Sequence, residues 1–259
     1  MIYFIIPLLA AVVLYFLVFK KDAPKRFTDQ PQWHQPLLKY VSFYKKLNNK
    51  EQKVFRQRMS AFLNETYVDA VGFELEELDK LLVAASAVIP VFRFKEWTYN
   101  NLSGVIIYPE NFNENLGYAD HHSDRMIGGL VGTGGFEKQM ILSRTALYHG
   151  FKNDTDKLNT SIHEFVHLLD KIDGQTNGLP EAFLDKSYIL PWMNLMHQEM
   201  EAINKDKSDI RSYAATNQAE FFAVTSEYFF SRPQLMKRKH PELYKMLELC
   251  FNPQMKKNV

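Results

Sequence analysis

Apolar positions recur three and four residues apart over most of the chain beyond residue 36, and the elements they predict are mainly helical. From Leu37 to about Ser86 the stripe runs through Tyr40, Phe43, Tyr44 and Leu47, then Val54, Phe55, Met59, Phe62 and Leu63. Asn48-Asn49 separates these two helices, and Leu75, Leu78, Leu81, Leu82 and Ala85 mark a third. All of these stripes read simply as core. The pattern then shortens. Residues 88–94 are β-branched and aromatic, residues 104–108 form a stronger strand ending at Pro109, and residues 140–143 form another. Five of the eleven glycines lie between Gly128 and Gly135. No Lys-Ser/Thr follows them, so they predict a turn between strands rather than a phosphate cradle. Helical spacing returns from Lys157 to Gly174, with the cap expected in residues 153–156, and again over residues 187–204. A further helix, capped by Thr216 or Asn217, ends near Arg232-Pro233, and Leu235, Leu243, Met246, Leu247 and Leu249 mark a closing helix or two. The fold class this predicts is α+β, a mainly helical body with a small mixed sheet.

The first residues differ from the rest. Residues 1–19 are a continuous apolar run, mildly interrupted by Tyr3, Pro7 and Tyr15. As a helix this run reaches roughly the 30 Å of a bilayer's hydrocarbon core, which predicts a single transmembrane anchor. A cleaved signal peptide is the rival, but no positive residue precedes the run and no small-x-small site follows it. Lys20, Lys21, Lys25 and Arg26 come next, so the positive-inside rule puts the body on the cytoplasmic side of the plasma (inner) membrane. Residues 20–36, with Pro24, Pro31 and Pro36, read as a linker. The body divides into a helical part, residues 37–86, and a core, residues 87–259. Of the 259 residues 46% are hydrophobic, enough for a proper core. A net charge of +1 without a long basic run excludes nucleic acid as an expected partner. Cys250, the only cysteine, excludes an intrachain disulfide and a thiolate zinc site.

The candidate chemistry lies in Ser161-Ile-His-Glu-Phe-Val-His-Leu-Leu-Asp-Lys-Ile-Asp-Gly174. Histidines at i and i+4 share one helix face, so His163 and His167 can reach a single metal ion, and Glu164 can face a water bound there. The competing use of Glu164 is a capping box with Ser161. His121-His122 beside Asp120 and Asp124 reads as a solvated loop. A catalytic zinc needs a third protein ligand and an open position. The metzincin continuation is absent, because Asp170 and Asp173 occupy the glycine and histidine positions. Glu181 is in a Pro-flanked loop context, and Glu199 and Glu201 fall on a helix of mixed character. Glu220 and Glu227 share a face of a helix otherwise rich in alanine and aromatics, where carboxylates need partners. A metal ion would serve one of them.

These residues resemble those of the Mlc titration factor A family of zinc peptidases, whose catalytic core looks like that of lethal-factor-type metalloproteases. The resemblance is carried by residues 163–170 with Asp173-Gly174, by Tyr213-Ala-Ala-Thr216, by Ala219-Glu220 and by residues 226–230. Weaker echoes are residues 43–47 and 105–109, and the likeness spans about residues 37–253. It implies a zincin-type metallopeptidase core holding one Zn²⁺ per chain on His163, His167 and Glu220, with Glu164 as general base. It also implies Tyr213 as a transition-state donor, with Glu227 standing behind a ligand. Asp170, one turn after His167 and too far along the helix to join the ligands, is expected to orient a histidine or a neighbouring loop. Peptide bonds of a peptide or protein substrate would be hydrolysed, and residues 140–143 would pair with that substrate as an added strand. The chain departs from the family in its apolar N-terminal run, so the sugar-regulatory repressor held by soluble members need not be the partner here. Asn217-Gln218 also stands where Asp-Pro is common. The alternative function is a membrane-anchored binding protein that sequesters a regulatory protein, with weak or incidental peptidase activity. A purely structural zinc is disfavoured by Glu164, since such a site gains nothing from a base.

Overall fold

The computed structural model describes residues 28–113, 116, 127–132, 137–152 and 155–253. A 3-10 turn, Pro31–Trp33, leads into α1 (His34–Tyr40), α2 (Ser42–Lys45), α3 (Asn49–Glu65), β1 (Tyr67–Ala70) and α4 (Glu77–Val91). β2 (Gly104–Tyr108), β3 (Gly129–Val131), β4 (Gln139–Ser143) and α5 (Arg144–Lys152) follow. α6 (Thr160–Asp170), α7 (Lys186–Asn204), α8 (Gln218–Ser231), α9 (Pro233–Lys239) and α10 (Pro241–Phe251) complete the chain. The architecture is α+β, mostly helical with one mixed sheet in the order β1-β2-β4-β3. β1, β2 and β4 run parallel, and β3 returns antiparallel to β4 at the edge.

Asparagine caps set the helix starts that matter. Asn48 and Glu51 form a capping box at α3. Asn159 accepts the Ile162 N–H at the head of α6, and Asn217 accepts the Glu220 N–H at the head of α8. α6 therefore begins at Thr160 rather than after residues 153–156. Ser161 bonds to Asn159 and to Ser86 of α4 instead of closing a capping box with Glu164. Aromatic contacts hold α6 in the core: Phe165 meets Phe62 of α3 edge-on, with ring centroids 5.7 Å apart. Trp192 of α7 packs on Phe221 and Phe222 of α8.

Several expectations change here. Residues 88–91 end α4 rather than starting a strand. They are buried in the helix that backs α6, so packing overrides their β propensity. The division at residue 86 falls within this helix, and the buried residues on both sides form one core. The glycine-rich stretch contains β3 itself. β4 is interior, flanked by β2 and β3, so no peptide can add to it as a strand; the edge strands are β1 and β3. Residues 34–36, read as linker, are already helical. The apolar run of residues 1–19 and the group Asp120, His121, His122 and Asp124 lie outside the described residues. Among the described residues no helix is long and apolar enough to cross a membrane.

Candidate metal centre

α6 is buried along almost its whole length, so each polar side chain on it must meet a partner inside the protein. His163 and His167 lie one turn apart on the face turned toward α8, with their Nε2 atoms 3.0 Å apart. Glu220, in the first turn of α8, brings Oε2 to 3.0 Å from His163 Nε2 and 3.5 Å from His167 Nε2. Tetrahedral zinc with bonds of about 2.0–2.2 Å separates its ligand atoms by about 3.3–3.6 Å, so the three atoms stand at nearly the spacing an ion requires. Their polarity fits as well. Glu220 Oε2 is buried without a hydrogen bond of normal geometry, and two imidazole lone pairs aimed at each other are satisfied by a shared cation. Glu164 and His163 are each 6% exposed. All four line a cleft of about 970 Å³, together with residues of β3 and Tyr213. Tyr213 lies in a 3-10 turn, Ser212–Ala215, with its ring stacked on His163 at 6.1 Å and 27°.

The sequence profile of the glucose-regulated metallopeptidase family M90 matches residues 20–252. The chain belongs to this family. Mlc titration factor A of Enterobacter sp. (strain 638) is 31% identical over 212 residues, 76% of this chain and 77% of that protein. Mlc titration factor A of Escherichia fergusonii is 30% identical over 230 residues, 83% of each chain. An uncharacterized protein of Synechocystis sp. is 27% identical over 236 residues, 86% of this chain and 85% of that one. The Mlc titration factor A family is thus the one to which the M90 profile and these relatives assign the chain.

Behind the cluster of this M90 family member stands a layer that fixes its orientation. Glu227 of α8, fully buried, puts Oε1 at 2.6 Å from His163 Nδ1. The same oxygen accepts from Arg211 Nη2 at 2.7 Å, and Oε2 accepts the Asn159 N–H at 2.8 Å. His163 is thereby held with Nδ1 as donor and Nε2 free for a metal. Asp170 holds a loop, not a histidine: its Oδ2 accepts the Gly178 N–H at 2.9 Å. Burial raises the Asp170 carboxyl to about 6 against the pull of that N–H.

Electrostatics mark the same place. Burial alone would lower the His163 imidazole, but contacts with Glu220 and Glu227 raise it to about 10. Burial would raise Glu220, yet the two histidines hold it far below the usual carboxylate range. The metal-free cluster thus binds a proton where an ion would sit. Burial raises the Glu164 carboxyl, opposed by His163 and His167, which moves it toward the range a general base needs near neutrality.

Gly129 explains why β3 can lie so close. A Cβ there would fall 2.6 Å from Glu164 Cγ and 2.8 Å from its Oε1. Sequence reading missed Gly129, Arg211 and Asn159. The only local signal for Arg211 was its place two positions before Tyr213.

Proposed function

We propose that this protein is a zinc-dependent peptidase in which His163, His167 and Glu220 hold the metal. The observation that carries the reading is the convergence of two Nε2 atoms and a carboxylate oxygen at 3.0–3.5 Å, in a cleft that Glu164 also lines. Zinc bound there supplies Lewis acidity and brings the pKa of water near neutrality. Glu164 accepts the proton of the water that attacks the scissile carbonyl and passes it to the leaving amine. Tyr213 donates a hydrogen bond to the oxygen that gains charge in the transition state. Glu227, itself braced by Arg211 and Asn159, keeps His163 in the metal-binding tautomer.

The substrate binds along β3. Ser143 N–H bonds to Gly128 O and Gly132 N–H to Gln139 O, each at 2.8 Å. Antiparallel alternation then turns the N–H and C=O of Gly129 and Val131 away from β4, to the side on which Ile127 bridges Phe112 and no described strand pairs with these two residues. An extended peptide can pair with those groups and lie across Glu164. Loss of zinc tests the ligand set. The purified protein should carry about one zinc per chain by elemental analysis. Glu220→Ala should lose most of it and Glu201→Ala should not; equal zinc in wild type and Glu220→Ala refutes the assignment.

The relatives' name, Mlc titration factor A, favours a second reading in which the body binds a regulatory protein and hydrolysis is incidental. Partner capture that survives Glu164→Gln, with peptide hydrolysis insensitive to it, would select that reading. For the N-terminus we propose an uncleaved anchor in the inner membrane with the body in the cytoplasm, supported by the apolar run of residues 1–19 and the basic residues after it. A mature chain beginning past residue 19 would refute it.

A further inference from the structure

The cleft has two unlike walls. On the β3 side its lining is apolar, with Ile127, Leu130 and Val131. Away from β3 the lining carries Lys171, Asn177, His197 and Gln218, with Met200 among them. Among the described residues the only carboxylates lining it are Glu164 and Glu220, both in the metal cluster. Lys171 begins the 3-10 turn that continues α6, one turn beyond His167. The i,i+4 relation puts it on the face that bears His167, and helical side chains lean toward the N-terminus, here toward the cluster. The acids nearest to it in sequence are engaged elsewhere. Asp170 Oδ2 accepts the Gly178 N–H, and Asp173 Oδ1 accepts the Gln175 N–H at 2.9 Å. Among the described residues no carboxylate pairs with the Lys171 ammonium. Arg211 does not line this cleft but the smaller pocket beside it, where its charge is balanced by Glu227.

We propose that Lys171 is a specificity-determining residue, and that the subsite at the C-terminal end of α6 takes an acidic side chain of the peptide substrate. The inference rests on the peptidase reading and names its substrate class. A peptide paired with β3 passes the metal cluster and presents a side chain to the polar wall beyond His167. An aspartate or glutamate there meets an ammonium that no described carboxylate neutralises, in a half-enclosed cleft. A lysine or arginine meets like charge, which is the stronger discriminator because repulsion acts against the wrong substrate directly. A neutral isostere such as glutamine forfeits the charge-assisted hydrogen bond.

The test uses the full-length, zinc-loaded chain in detergent. A peptide library is cleaved by wild type, Lys171→Ala and Lys171→Glu, with folding checked by melting temperature. Wild type should favour Asp and Glu over Asn and Gln by about 10-fold at one position on one side of the scissile bond. Lys171→Ala should flatten that position, and Lys171→Glu should invert it toward Lys and Arg. In parallel, binding of fluorescent peptides that differ only by Glu or Gln is measured with Glu164→Gln protein. The Glu peptide should bind about 10-fold tighter, losing that advantage in Glu164→Gln/Lys171→Ala and at high salt. No acidic preference at any position, or one that survives Lys171→Ala, overturns the proposal. Absence of cleavage with the binding preference intact refutes the peptidase reading and upholds this one.

Discussion

Gly129→Ala is a small change whose consequence can be worked from distances. The added Cβ would lie 2.6 Å from Glu164 Cγ, 2.8 Å from Oε1 and 3.0 Å from Cδ. Ordinary contact begins at about 3.4 Å, so something must yield by about 0.8 Å. Glu164 is buried on a helix held by Phe165, Ser161 and Asn159, and Gly129 is paired with Leu142 of β4. The softest coordinate is the Glu164 side chain. A displacement near 1 Å of a reacting group costs about 10²-fold in rate, so kcat should fall about 30-fold to 100-fold, or about 2–3 kcal/mol in barrier. The overpacking itself costs about 1–3 kcal/mol of stability, leaving a folded protein. The assay is peptide hydrolysis alongside zinc content, which should stay at the wild-type value because the three atoms nearest the new methyl all belong to Glu164. A double variant sharpens the reasoning. If the methyl acts only through the Glu164 carboxylate, adding Gly129→Ala to Glu164→Gln should cost little more. Full activity in Gly129→Ala, or full additivity in the double variant, would refute the argument.

Two further outcomes follow from the layer behind the cluster. Glu227→Gln removes the carboxylate that holds His163 Nδ1, and zinc affinity should fall about 10-fold to 100-fold in chelator competition; unchanged affinity would contradict its orienting role. Proton linkage gives the other: His163 sits at about 10 in the metal-free site, above its ordinary 6.5, so zinc loading at pH 8 should release about one proton in a pH-stat titration. The same shift stabilises the metal-free fold fully below 6.5, and that stabilisation is lost as pH rises through about 10. The metal-free melting temperature should therefore decline between those limits more than that of the zinc-loaded protein.

What was legible in the chain was what local chemistry decides. The His163–His167 spacing needs only a helix to become a shared face, and the Asn217 cap needs only the next three residues. Residues 88–91 misled because their β propensity is intrinsic, whereas their burial behind α6 depends on the whole fold. β3 was illegible for a related reason: a short glycine-rich strand has no side-chain alternation to read, and its place follows from pairing with β4. Glu227 was suspected from an acid in apolar surroundings, but its bond to His163 joins positions 64 residues apart. Arg211 and Asn159 meet Glu227 only in the folded state. The misreading of residues 140–143 as a docking strand had the same origin, since an apolar run does not say which strand of a sheet is outermost.

The central claim is that Glu164 is a proton acceptor beside a metal held by His163, His167 and Glu220. Glu164→Gln keeps the ligands and nearly the side-chain volume while removing the basic oxygen. The deciding measurement is peptide hydrolysis by zinc-matched wild type and Glu164→Gln at neutral pH. The account predicts a loss of about 10²-fold or more with zinc content and melting temperature almost unmoved; hydrolysis at the wild-type rate in that variant would contradict it.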